Sequence, residues 1–160
     1  MSPKKILFVC TGNSCRSVMA QEYLRAVLVR ARIESVQVES AGVFAINGMT
    51  PTRETLRALQ ETGVACSDHR ARLLTPLMVQ EADLIFVMEP FQGEEVLRRD
   101  PSARNKTFLL KTYNLPPGEA PATPGIPDPI GKPMEIYEVC FRDIREAVDR
   151  VARSLGVHIG

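Results

Sequence analysis

The stretch "ILFVCTGNSCRSVMAQEYL", Ile6 to Leu24, decides how this chain is read. Its first residues belong to a short apolar run, Lys4 to Val9, with β-branched and aromatic members, as a strand buried on both faces requires. Farther on, Ala20, Tyr23, Leu24, Val27 and Leu28 recur at helical spacing. Between the two lies a turn with a thiol, Cys10, at one end and a guanidinium, Arg16, at the other. A strand feeding a helix through a short turn is the opening unit of an α/β sheet, and ligands of such sheets bind beyond the carboxyl ends of the strands.

Working outward, Ser35 to Ser40 reads as a second strand ending in "SAG". Thr50-Pro51 is read as a helix start, a cap residue followed by proline at the first helical position; the helix continues through Leu56 and Leu59 and stops at Gly63. Thr75-Pro76 repeats the signal for one short helix. Asp83 to Met88, "DLIFVM", is the clearest strand, followed by a helix around Gly93 to Arg99 and a short strand around Thr107 to Leu110. A proline-rich loop from Pro116 to Pro133 leads into a last helix with Ile136, Cys140, Ile144, Val148, Val151 and Leu155 on one face. The alternation predicts a three-layer α/β/α fold with a four-stranded parallel sheet in a single domain, residues 1–160.

Composition narrows the function classes. Of 160 residues, 44% are hydrophobic and 24% charged, and the net charge is +1. That balance creates no global field, so neither nucleic acid nor a membrane surface is expected as a partner. The apolar run near the N-terminus stops too soon for a secretory core. A cytoplasmic monomer is expected, with its four cysteines reduced. Neither His69 nor His158 has metal-ligand spacing to them, and no metal or other cofactor is expected.

The turn "CTGNSCRS" carries the chemistry. Wrapped as a cradle, Thr11, Gly12, Asn13, Ser14 and Cys15 would aim backbone N–H groups inward, joined by the free donors and positive dipole end of the following helix. Gly12 and Asn13 are residue types that tolerate the dihedrals a cradle demands. Such a ring suits a tetrahedral dianion, with Arg16 gripping two of its oxygens. The same field favours the thiolate of Cys10, a nucleophile aimed at bound phosphorus. Ser17 is placed to donate a hydrogen bond to that thiolate. A nucleotide-binding loop is excluded, since no Lys-Ser/Thr pair closes a G-x-x-x-x-G run here.

These residues match a known pattern. "VCTGNSCRS" resembles the phosphate loop of the low-molecular-weight protein-tyrosine-phosphatase family, V-C-x-G-N-x-C-R-S-P, and the resemblance extends to "ESAGV", "DHRAR" (Asp68 to Arg72), "ADLIFVM" and "PDPIG". It implies the fold derived above, with Cys10 as nucleophile, Arg16 as phosphate clamp and Asp128 as general acid. Asn13 and Ser40 match family positions that hold the loop in shape, with His69 joining them. Val18 stands where the family usually has proline, which weakens the helix-start signal and removes no catalytic group.

Asp128 lies between Pro127 and Pro129, which limit its backbone. Phosphoryl transfer needs such a group to protonate the leaving atom and then to activate water. The implied substrates are phosphorylated proteins. Tyrosine-directed members carry an apolar residue after the nucleophile and an aromatic two residues after the acid, where this chain has Thr11 and Ile130. "CTGN", "SAGVFA" and Ile136-Tyr137 are more similar to the protein-arginine-phosphatase branch, although Ile130 departs from both branches. Threonine suits a guanidinium N–H; an apolar residue at position 11 would leave that group unpaired, at a cost of about 1–3 kcal/mol. Phosphoarginine is therefore expected, with phosphotyrosine the alternative. Cys15 is close enough in sequence to form a protective disulfide with Cys10 if the loop curls, and is also expected to be buried behind the loop; the two readings are compatible. Two rivals rank below: a thioredoxin-coupled arsenate reductase, for which Cys66 and Cys140 lack the paired relay spacing, and a non-catalytic phosphate-binding module.

Overall fold

Strands with unbroken apolar sequences need both faces covered, and the structure, a computed structural model, supplies that cover. It describes residues 3–66 and 68–159; Met1, Ser2, Ser67 and Gly160, which include both ends of the expected domain, lie outside it. The elements follow in the order β1 (Lys5–Cys10), α1 (Arg16–Arg30), β2 (Gln37–Gly42), α2 (Arg53–Glu61), α3 (Pro76–Glu81), β3 (Leu84–Val87), α4 (Pro90–Arg99), β4 (Thr107–Leu109) and α5 (Met134–Ser154). The sheet is four-stranded and parallel, in the order β2-β1-β3-β4. Alternate residues of β1 divide the core. Ile6, Phe8 and Cys10 join the cluster built with α1, α2 and α5. Leu7 and Val9 join the opposite one, with Val79 of α3 and Val96 of α4. The three-layer α/β/α arrangement is the one expected.

Because β1 is flanked by β2 on one side and β3 on the other, the chain reverses its winding direction there. The crevice beyond the carboxyl ends of β1 and β3 is the place where open α/β sheets bind ligands. The turn after β1, from Thr11 to Cys15, opens into it.

Three local expectations are corrected. The cap of α2 is Thr52 rather than Thr50: its Oγ1 accepts from the Thr55 amide at 3.2 Å, while its own N–H donates to the Ser14 carbonyl at 3.1 Å. That bond ties Pro51-Thr52 to the turn in an extended conformation and delays the helix. Helix α4 begins at Pro90 rather than near Gly93, because Gln92 Oε1 accepts from the amides of Met88 and Glu89, at 2.8 and 2.9 Å. In α5 the buried face runs through Tyr137, Cys140, Phe141, Ile144 and Val148, whereas Ile136 is exposed. Among the described residues no helix is long and apolar enough to cross a membrane.

Candidate active site

The turn after β1 is shaped by Asn13, whose φ is +53°. Gly12 is not in the left-handed region; of the two residues credited with unusual dihedrals, Asn13 alone adopts one. Short polar side chains tolerate that region when they form local hydrogen bonds, and Asn13 is bonded on every side. Its Nδ2 donates to Ser17 Oγ at 2.8 Å and to Ser40 Oγ at 2.9 Å, its Oδ1 accepts from the Arg72 amide at 2.9 Å, and its carbonyl accepts from His69 Nε2 at 2.9 Å. The expected grouping of Asn13, Ser40 and His69 is present, and the structure adds Gln21 and Arg72.

The network continues on both sides of Asn13. Ser40 donates to Gln21 Oε1 at 2.8 Å, and Gln21 Nε2 lies 3.4 Å from His69 Nδ1. With Nε2–H of His69 committed to the Asn13 carbonyl, Nδ1 is the acceptor and the ring is neutral. Burial, the main influence on His69, lowers its pKa and favours that form. Ser17 Oγ, which accepts from Asn13 Nδ2, lies 2.9 Å from Cys10 Sγ, and its own proton is available to a thiolate there. The Asn13 N–H also donates to that sulfur, at 3.3 Å. Two donors thus converge on a buried sulfur, an arrangement that stabilises the thiolate.

Arg16, at the start of α1, is 2% exposed. Its Nη1 donates to the Ile126 carbonyl at 2.7 Å and to Glu89 Oε1; its Nη2 lies 3.5 Å from Thr11 Oγ1 and 3.6 Å from Asp128 Oδ2. Burial opposes the charge, but Cys10, Glu89 and Asp128 outweigh it, so the guanidinium holds its proton more firmly than in water. Asp128 itself is half open to solvent, and its Oδ1 accepts from the Ile130 amide at 3.0 Å. The Ile126 amide donates to the Met88 carbonyl at 2.8 Å, so the acid loop is anchored to the end of β3 as well as to Arg16.

Glu89 and Gln92 were not legible as site residues, although "EPFQ" contains a readable helix start, proline at the first position and glutamine at the third. Gln92 Nε2 also donates to Thr11 Oγ1 at 3.1 Å, which joins α4 to the turn. The Thr11 hydroxyl oxygen therefore already receives two donors, Gln92 and the more distant Arg16, where sequence reasoning had left it open for substrate. Ile130 is half exposed beside the acid. Cys15 is buried behind the turn; hydrogen bonding to Cys140, then burial, raise its pKa strongly and keep it a neutral thiol. That is the burial expected for it. Ser14 contributes its carbonyl to Thr52.

A buried thiol with two donors, a guanidinium beside it and a carboxylic acid at the rim can bind a phosphate ester, attack it and protonate its leaving group. Comparison with known proteins bears on the same point. Residues 5–158 match the family model described as low molecular weight phosphotyrosine protein phosphatase. A protein-arginine-phosphatase of Geobacillus stearothermophilus is 35% identical over 96% of this chain and 97% of its own length. A probable low molecular weight protein-tyrosine-phosphatase, EpsP, of Ralstonia solanacearum is 38% identical over 91% of this chain and 92% of its own. Among solved structures, a YwlE arginine phosphatase variant with a phosphorylated active-site serine superposes with a TM-score of 0.85 at 31% identity, covering 95% of each chain. A match that spans both the cradle after β1 and the acid before α5 leaves one assignment: this chain belongs to the low molecular weight phosphotyrosine protein phosphatase family of cysteine-dependent protein phosphatases.

Proposed function

We propose that Cys10, Arg16 and Asp128 carry out phosphoryl transfer from phosphorylated protein side chains, with phosphoarginine as the preferred substrate. The observation that carries the chemistry is Cys10 Sγ, held by Ser17 Oγ at 2.9 Å and the Asn13 amide at 3.3 Å. The thiolate attacks phosphorus, and the bond from phosphorus to the leaving nitrogen or oxygen breaks as Asp128 gives that atom a proton. The Asp128 carboxylate then takes a proton from water, whose oxygen displaces sulfur from phosphorus. The Ser17 hydroxyl receives the departing thiolate. Arg16 and the backbone amides of the turn stabilise the equatorial oxygens, the largest contribution expected in such a reaction.

For arginine the support is Thr11 in place of an apolar residue. Of its two internal donors Arg16 is the weaker at 3.5 Å, and a substrate guanidinium N–H can replace it once Arg16 turns to the phosphoryl oxygens. When ionised, Asp128 can also pair with a substrate guanidinium through the oxygen that faces Arg16. A phosphotyrosine reading is favoured by one feature: Phe44, whose amide bonds the Thr11 carbonyl at 3.0 Å, and Ile130 both expose apolar surface suited to an aromatic ring. The deciding experiment is kcat/KM on matched phosphoarginine and phosphotyrosine peptides for the parent and Thr11→Ile. The expected result is a phosphoarginine preference that Thr11→Ile reduces by roughly tenfold, the effect of stranding one polar group. A phosphotyrosine preference indifferent to Thr11→Ile would return the substrate to the second reading. Four free thiols fit a reducing, cytoplasmic setting, and monomeric behaviour in solution is part of the same proposal.

A further inference from the structure

Beside the site runs a groove of about 610 Å³, which the phosphoryl chemistry does not use. One wall is the exposed side of α2, with Arg53, Leu56 and Arg57; the other is formed by Lys132 and Met134, where the acid loop enters α5. Both walls are tied to the reacting centre. Arg53 directly follows Thr52, whose amide bonds the Ser14 carbonyl of the turn at 3.1 Å. Lys132 donates its amide to the Pro129 carbonyl at 2.9 Å, closing the turn that starts at Asp128.

Charge in the groove is one-sided. Three cations face a single carboxylate, Glu54. Arg57 is partly neutralised by Glu61 on its own helix, at 3.0 Å. Among the described residues Arg53 and Lys132 have no ion-pair partner, and both are exposed. Between them Leu56 leaves apolar surface open, 38% exposed in a helix whose other apolar side chains, Ala58 and Leu59, are buried. Cations flanking an apolar strip suit an acidic peptide, since rim charges steer and orient partners more than they bind them tightly.

We propose that this groove receives the segment of a protein substrate that flanks its phosphorylated residue, with an acidic side chain between Arg53 and Lys132 and an apolar one against Leu56. The proposal rests on the phosphatase reading and adds a preference among substrate proteins. Its test compares three phosphopeptides with glutamate, alanine or lysine flanks, made with both phosphoarginine and phosphotyrosine, on the parent and on the Arg53→Glu/Lys132→Glu double variant. An aryl phosphate, which is too small to reach the groove, is the control. The parent is expected to favour the glutamate flank over alanine by about tenfold in kcat/KM, through KM and less at high salt, as two exposed ion pairs allow. The double variant is expected to lose that preference or turn it toward lysine, with aryl phosphate turnover unchanged. A parent blind to its flanks, or a double variant that slows the aryl phosphate equally, overturns the groove. A parent that turns over neither the aryl phosphate nor any of the phosphopeptides brings down the phosphatase reading, and the groove with it.

Discussion

Asn13 joins the chemistry of the site to its architecture. In the left-handed region at φ +53°, it spends both amide hydrogens, its side-chain oxygen, its N–H and its carbonyl on five different partners. An alanine there would keep the backbone strain and lose three side-chain bonds. His69 is the titratable member of this network and gives it a pH dependence. Burial lowers its pKa below the unfolded value of 6.5, despite the Asn13 carbonyl and Glu22, which favour the charged ring, and with help from Arg25 and Arg72, which disfavour it. The unfolded chain therefore binds the extra proton first as pH falls. The stability that comes from a neutral His69 is complete above about pH 6.5 and is lost progressively below it, toward the lower folded value. Urea unfolding from pH 8 to pH 5 should show the parent losing more stability on acidification than His69→Gln. Parallel profiles would mean that the ring does not sense protonation.

At the scale of elements, the site is a junction of three chain segments at the carboxyl ends of β1, β2 and β3. Gly42, the last residue of β2, shows how tightly they meet. A Cβ there would lie 2.5 Å from the Thr11 carbonyl oxygen and 2.8 Å from the Asn13 nitrogen, both backbone atoms that cannot step aside. Gly42→Ala should therefore lower unfolding stability by about 1–3 kcal/mol, the cost of overpacking, and reduce turnover as well, because the displaced atoms belong to the cradle. Unchanged stability and activity would show that the turn has more freedom than its contacts suggest. The same junction explains where local sequence signals fell short. Thr50-Pro51-Thr52 holds two possible caps, and the choice of Thr52 is made by a bond to Ser14, thirty-eight residues earlier in the chain. In α5 a pattern centred on Cys140 fits Ile136 or Tyr137 one turn back, and packing selects Tyr137. Thr75-Pro76 carried no such conflict, and α3 starts where that signal placed it, with Thr75 Oγ1 accepting from the Met78 amide at 3.2 Å.

For the molecule as a whole, a four-stranded parallel sheet with both faces buried was legible, because continuous apolar strands and right-handed crossovers leave few alternatives, whereas the order β2-β1-β3-β4 came only from the structure. The turn after β1 was legible from residue types at close spacing. Glu89 was not: it is seventy-three residues from Arg16, in a helix start that looks purely structural until β1 and β3 pair. Its carboxylate and the Ile126 carbonyl hold one side of the guanidinium, leaving the other toward Thr11 and Asp128, where a phosphoryl group would sit. Thus the fold brings together a thiol, a clamp and an acid that come from the two ends of the chain, which suits a two-step transfer through sulfur. The most direct test is to quench the enzyme during turnover of a phosphopeptide and locate the phosphoryl group by mass spectrometry under conditions that preserve phosphocysteine. The predicted result is one phosphoryl group on Cys10, enriched when Asp128→Asn slows hydrolysis, and no phosphoenzyme or turnover in Cys10→Ala. Turnover that survives Cys10→Ala, or a phosphoryl group on any other residue of the parent, would contradict the account.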